Sequence, residues 1–240
     1  MPSTLIWQTV RRLNRGPLKR LGVQVVRPAV IHGPPAYIGV TEWSRRLWAV
    51  QRVMREVADV PGDFAECGVF YGHGVLAMLH EIRYARQPRR IWAFDSFSGH
   101  PPQADADKST AVAEALKDYW RVTQEDVWRT LELGTDDSPA ALREKVTLLP
   151  GWFSESMPKF KARLAYIHLD PDYYQSTRDA LKYLWPQLSV GGVVMFGQLD
   201  NPTLPGKGVA VREFLNETSA TTVSMEKDAP SAHYFLRKLA

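Results

Sequence analysis

Residues 63–74, DFAECGVFYGHG, decide how this chain is read. Phe64, Ala65 and Cys67 make a short apolar strand with Glu66 at its carboxyl end, and Gly68, Gly72 and Gly74 punctuate the turn into a helix. In an open α/β sheet, ligands bind outside the carboxyl ends of the strands, beside such a turn. A dinucleotide fingerprint would place glycine where Phe70 and His73 stand, because pyrophosphate needs close backbone approach there. The turn therefore suits a smaller, less anionic ligand, such as an adenosyl group on a methionine-like tail. The same mismatch disfavours a nicotinamide oxidoreductase.

The chain has 240 residues, 45% hydrophobic and 23% charged, enough for one sizeable globular domain. Its 30 Lys+Arg against 26 Asp+Glu leave a net charge of only +4, far from the footprint of a nucleic-acid binder. Cys67, the single cysteine, reads as a small buried core residue and excludes a disulfide framework. No apolar run reaches membrane-spanning length. Residues 1–22 carry Arg11, Arg12, Arg15, Lys19 and Arg20 without the apolar core of a signal peptide, so a cytoplasmic protein is expected.

Two segments are expected: an N-terminal extension and candidate lid over 1–40, and one domain over 41–240. Residues 1–22 have the pattern of a basic amphipathic helix, expected to pack on its own domain or on a second copy, with contact to a membrane surface as the alternative. Pro28, Gly33, Pro34, Pro35 and Gly39 make 23–40 an irregular loop, from which His32 and Tyr37 could line a pocket. Thr41 reads as the N-cap of an amphipathic helix over 42–59. Strands follow at 64–67, IWAF (91–94), VTLL (146–149), LAYIHLD (164–170) and VVMF after Gly191-Gly192, which is read as ending the preceding helix. Helices are expected near 110–120, 124–133, 138–144, 174–188 and 207–219, and two alternating segments close the chain as a hairpin. Alternating strands and helices predict an α/β fold, a mostly parallel sheet with helices on both faces and a C-terminal antiparallel hairpin.

In a parallel sheet four strand ends converge. They present Glu66, Asp95, the turn Pro150–Phe153, and LDPDYY (169–174). Asp95 occupies the place of a ribose-binding carboxylate, although a helix N-cap is an equal reading. Trp152 and Phe153 could sandwich an adenine, or simply pack the core. Asp170 and Asp172 stand two residues apart, so in extended geometry their carboxylates share a side and would hold a cation or act as base. Asp172 is equally readable as the cap of the helix opening near Tyr174. His168 is expected to pack within the sheet. No Ser/His/Asp set, phosphate-binding loop or zinc spacing is present.

ECGVFYGHG (66–74), FDSFSGHP (94–101), LLPGWFSESMP (148–158), LDPDYYQST (169–177), Gly191-Gly192 and PGKGVAVREF (205–214) occur in this order. Together they resemble the macrocin O-methyltransferase family, the TylF-type sugar O-methyltransferases. The resemblance implies a Rossmann-like class I methyltransferase fold, S-adenosylmethionine as donor, and Mg²⁺-assisted methylation of a sugar hydroxyl, as on macrolide and aminocoumarin antibiotics. By position it places Glu66 and Gly68 in the donor pocket, Asp95 on the ribose, Asp170 on the metal and Asp172 as general base. The candidate donor pocket extends to Cys67, Tyr71, Gly72, Ser96, Phe97, Gly151, Trp152, Phe153 and Asp170. One departure stands out: counted from Gly192, Gly197 and Gln198 occupy the positions of the family's acidic pair, whereas counted back from Gly206 those positions are Leu199 and Asp200, so two extra residues lie in this loop and Asp200 is the candidate metal ligand. That puts metal dependence in question. The alternatives are a metal-independent methyltransferase on a non-sugar acceptor, or a non-catalytic relative that binds the donor or a glycan.

Overall fold

The computed structural model describes residues 47–107, 121–197, 199–219, 221–228 and 233–240, within one compact unit, Ser44–Ala240. The expected extension and lid, the Thr41 cap and the helix near 110–120 lie outside the described residues. Thirteen elements position the site. They are β1 (Asp63–Cys67), α1 (His73–Tyr84), β2 (Ile91–Asp95), α2 (Gln124–Gly134), α3 (Pro139–Lys145), β3 (Val146–Pro150) and the single turn α4 (Phe153–Ser156). Then come β4 (Leu164–Leu169), α5 (Tyr174–Leu184), β5 (Leu188–Phe196), α6 (Gly206–Glu217), β6 (Val223–Lys227) and β7 (Tyr234–Lys238).

The strands form one sheet in the order β3-β2-β1-β4-β5-β7-β6. The first five are parallel; β7 joins β5 antiparallel and β6 pairs with β7 as the expected hairpin. Successive side chains of a strand point to opposite faces, and the core divides accordingly. Phe64, Ile91, Tyr166 and Met195 pack under α1 and the helix over 47–56. Cys67, Phe94, Ile167 and Phe196 pack against the α5 and α6 side. Local signals set the helix starts. Thr123 and Asp126 form a reciprocal capping box on α2, and Ser138 accepts the Ala141 amide at 3.2 Å ahead of Pro139.

One boundary differs from the sequence reading. Gly191-Gly192 does not end a helix: α5 stops at Leu184, Trp185–Gln187 makes a tight turn, and β5 already begins at Leu188. Pro186 cannot continue the helix. The two glycines instead lie inside β5, where the pairing skips from Leu164↔Leu188 to Tyr166↔Val193 and Gly191 takes φ +82°. They carry a bulge.

Arg89 ties the helix over 47–56 to the start of β1. Its guanidinium donates to the carbonyls of Val57 at 3.2 Å, Ala58 and Gly62, and its carbon lies 5.0 Å from the centre of the Phe64 ring. Cations complement the negative carboxyl end of a helix. Burial lowers the Arg89 pKa, opposed by the charges of Asp63 and Asp59. Arg89→Met keeps the apolar stem and leaves these carbonyls unpaired, at a cost of about 2–3 kcal/mol. Urea unfolding should show a lower midpoint with unchanged slope; an unchanged midpoint would show the contacts to be dispensable.

Candidate active site

The glycine turn after β1 is held by Asp95, which ends β2. Asp95 Oδ2 accepts the amides of Val69 at 2.7 Å and Phe70 at 3.2 Å, while Oδ1 accepts that of Phe97 at 2.9 Å. Phe70 and Phe97 both adopt left-handed backbone, φ +50° and +52°, a strained geometry that side-chain bonds of this kind stabilise. Asp95 is thus not a helix cap. It is a strut for two loops, three amides taking up most of a carboxylate's roughly four acceptor directions. Ser96 closes the second loop by donating to Gly99 O at 2.6 Å. Gly151 donates its amide to Asp95 O at 3.0 Å, joining the β3 end to the same edge. Tyr71 stands over Phe70 edge-to-face at 4.6 Å and is 41% exposed at the rim.

Glu66 lies beneath this turn. It is in register with His168 across β1 and β4, and its Oε1 is 3.1 Å from His168 Nδ1. His168 is therefore packed in the sheet as expected, but as the partner of a site carboxylate, which the sequence did not reveal. Only 2% of Glu66 is exposed, and its Oε2 has no hydrogen-bond partner among the described residues. A β-carbon on Gly74 would fall 1.9 Å from Glu66 Oε1; the glycine is there to make room for the acid. A buried carboxylate oxygen is costly unless paired.

Two expected pocket residues point elsewhere. The Cys67 side chain is fully buried on the opposite face, and burial, aided by Glu66 and Asp95, pushes its thiol well above the usual range. Only its backbone serves the site, its carbonyl accepting the Asp170 amide at 2.9 Å. Phe153 is likewise core, packed with Met157 and Phe160, whereas Trp152 stays half-buried.

The second half of the site follows β4. Asp172 is not the cap of α5, which has no side-chain cap from its own N-cap residue, Tyr173. The Tyr174 amide donates instead to Asp107 Oδ1 at 2.7 Å, 67 residues away, and Asp107 Oδ2 accepts the Ala104 amide at 2.9 Å. Asp172 Oδ2 lies 3.1 Å from His100 Nε2. His100 stacks on Tyr173 with ring centroids 4.5 Å apart, and Tyr173 Oη accepts from Gln103 at 3.2 Å. Asp170 Oδ1 accepts from Lys207 Nζ at 2.9 Å, and the same Nζ is 3.9 Å from Asp172 Oδ1. Lys207 is 5% exposed. Its placement follows from its neighbours. A β-carbon on Gly206 would meet Asp107 Oδ1 at 1.7 Å and one on Gly208 would meet Leu199 O at 2.2 Å, so α6 starts close enough to aim lysine at Asp170.

These residues do not fit Mg²⁺. The ion takes a near-octahedral array of oxygens, several of them water, on one or two carboxylates; here the Asp170 carboxylate is engaged by the Lys207 ammonium, and no group of three or more His, Cys, Asp or Glu could hold a metal among the described residues. Gly197 offers no ligand, and a β-carbon there would lie 2.8 Å from Asp170 Oδ1. Asp200 does not join Asp170. Its side chain is 68% exposed, accepts from Tyr234 Oη and pairs with Lys227 at 3.6 Å. The Tyr234 bond is the main reason its pKa is lowered.

Comparison with known proteins bears on this geometry. The chain is 35% identical over 175 residues to 8-demethyl-8-(2,3-dimethoxy-alpha-L-rhamnosyl)-tetracenomycin-C 4'-O-methyltransferase of Streptomyces olivaceus, covering 70% of this chain and 62% of that protein's length. It is 28% identical over 209 residues to mycinamicin III 3''-O-methyltransferase of Micromonospora griseorubida, covering 86% and 79%. Among solved structures, the O-methyltransferase NovP superposes with TM-score 0.69 at 27% identity, over 82% of this chain and 80% of that one. Calicheamicin methyltransferase CalS11 gives 0.69 at 22% identity, over 99% and 94%, which speaks for the fold alone. The fold is the Rossmann-like class I methyltransferase fold. The family model for macrocin O-methyltransferase (TylF) matches residues 34–235, and the chain belongs to that family.

Proposed function

We propose that the protein is an S-adenosylmethionine-dependent O-methyltransferase whose acceptor is a sugar hydroxyl of a glycosylated natural product. The reading rests on the family, on the sugar-modifying relatives named above, and on the sheet edge where the chain reverses direction. The observation that carries it is Asp172, a carboxylate left out of helix capping and held by His100 at that edge. None of the helices among the described residues is long and apolar enough to cross a membrane. A cytoplasmic setting suits a chain whose one cysteine is buried and unpaired.

When bound, S-adenosylmethionine supplies a sulfonium-activated methyl carbon, and the electrons of the broken carbon–sulfur bond stay on sulfur. The residues of this chain supply the rest. Glu66 offers its unpartnered oxygen to the positive end of the donor, and Asp95 holds the turn and offers its remaining acceptor direction to the ribose. A sugar hydroxyl is a weak nucleophile at neutral pH, so its proton must leave as the new carbon–oxygen bond forms. Asp172 Oδ1 takes that proton while His100 on Oδ2 fixes the carboxylate. Holding oxygen and carbon in line at about 3 Å supplies much of the remaining acceleration.

Asp172→Asn should lower kcat about 100- to 10,000-fold, the usual worth of a positioned base, with donor affinity within about twofold by calorimetry. Unchanged turnover would remove Asp172 from the chemistry. Glu66→Gln keeps the shape and should weaken S-adenosylmethionine binding about tenfold, one charge-assisted bond's worth. Unaltered binding would place the donor's charge elsewhere.

A further inference from the structure

The metal that the family resemblance implies and the residues present disagree, and the disagreement is specific. At the ends of β4 and β5, the carboxylate of Asp170 is already taken up by an ammonium, Lys207 Nζ at 2.9 Å. The same ammonium stands 3.9 Å from Asp172. Counted from Gly192, the resemblance implies an acid at Gly197, where a side chain would crowd the Asp170 carboxylate. Its β-carbon would lie 2.8 Å from Asp170 Oδ1 and 3.7 Å from Lys207 Nζ. Gly197 and Lys207 thus meet at one carboxylate. Neither glycine beside Lys207 leaves room for a β-carbon, which would meet Asp107 Oδ1 at Gly206 and Leu199 O at Gly208.

We infer that the Lys207 ammonium replaces the divalent cation in this chain, pinning Asp170 and Asp172 and supplying fixed positive charge beside the acceptor oxygen. A divalent ion seated on Asp170 would have to displace this ammonium or lie against it, and the like charges repel. Lysine also brings hydrogen-bond donors where a metal brings coordination sites, so it orients carboxylates without needing six oxygens. Lys207 acts here as a positioning residue: it holds Asp170 at 2.9 Å and stands 3.9 Å from Asp172 Oδ1. The inference rests on the methyl-transfer reading for its consequence, but its geometry stands apart from it.

The test uses Mn²⁺ as the probe, read by electron paramagnetic resonance, alongside turnover in EDTA. The wild-type chain should leave equimolar Mn²⁺ in its free spectrum, and chelator should leave turnover unchanged. Lys207→Met, similar in length and without charge, should lose about 100-fold in turnover in EDTA, the size of removing one preorganised electrostatic group. It should also gain a bound Mn²⁺ signal that is lost again in the Asp170→Asn/Lys207→Met double variant. One Mn²⁺ bound per wild-type chain and abolished by Asp170→Asn would overturn the inference, as would full turnover of Lys207→Met in EDTA. If Lys207→Met does not fold, the wild-type Mn²⁺ titration decides alone. Calorimetry with S-adenosylmethionine on the same wild-type sample separates the two claims. No donor binding refutes methyl transfer and leaves the Mn²⁺ result standing.

Discussion

Where β1 and β4 end, the Asp170 amide donates to the Cys67 carbonyl at 2.9 Å, and Gly68 sits so close that a β-carbon would come within 2.8 Å of Asp170 O. Gly68 takes φ +86° to allow it. This backbone contact closes the reversal point of the sheet, where β1 is flanked by β2 on one side and β4 on the other. Everything chemical follows from it. Glu66 and Asp95 reach the edge from one half of the chain, Asp170 and Asp172 from the other. A side chain on Gly68 would push the halves apart and take the donor turn away from the acceptor carboxylates.

Charge is then managed pair by pair. Burying a carboxylate is expensive unless a partner compensates it, and each buried acid of the site has one. Glu66 meets His168 across the sheet, Asp107 spends both oxygens on backbone amides, and Asp170 meets Lys207. Two single atoms stand apart. Glu66 Oε2 has no partner among the described residues, and Asp172 Oδ1 faces the Lys207 ammonium at 3.9 Å. These two oxygens are where ligand chemistry would enter, one facing a cationic donor and the other a hydroxyl proton.

The sheet was legible in the sequence because its central strands are buried on both faces and read as short apolar runs between turn signals. The glycine turn, Asp95 and the 170–172 pair were legible for a related reason, since strand ends announce themselves locally. What escaped depended on contacts across long separations. The cap reading of Asp172 stands level with the functional one in the sequence because nothing nearby shows that Asp107, far back in a polar stretch, holds the Tyr174 amide. Lys207 lies inside a motif of the resemblance, yet nothing in the sequence singles it out. Its partner is 37 positions away, and only the close packing allowed by Gly206 and Gly208 joins them. Gly191-Gly192 was misjudged because a bulge in a strand and a helix stop use the same residue type.

A crystal structure with S-adenosylhomocysteine tests the central claim most directly, that one ligand spans the reversal point between β1 and β4. The account predicts its ribose on Asp95 and its amino-acid tail over the Gly68–Gly74 turn, with Asp170 and Asp172 still gathered on Lys207. A crevice filled by Phe70 and Tyr71 with the ligand absent, or bound at another edge of the sheet, would contradict it.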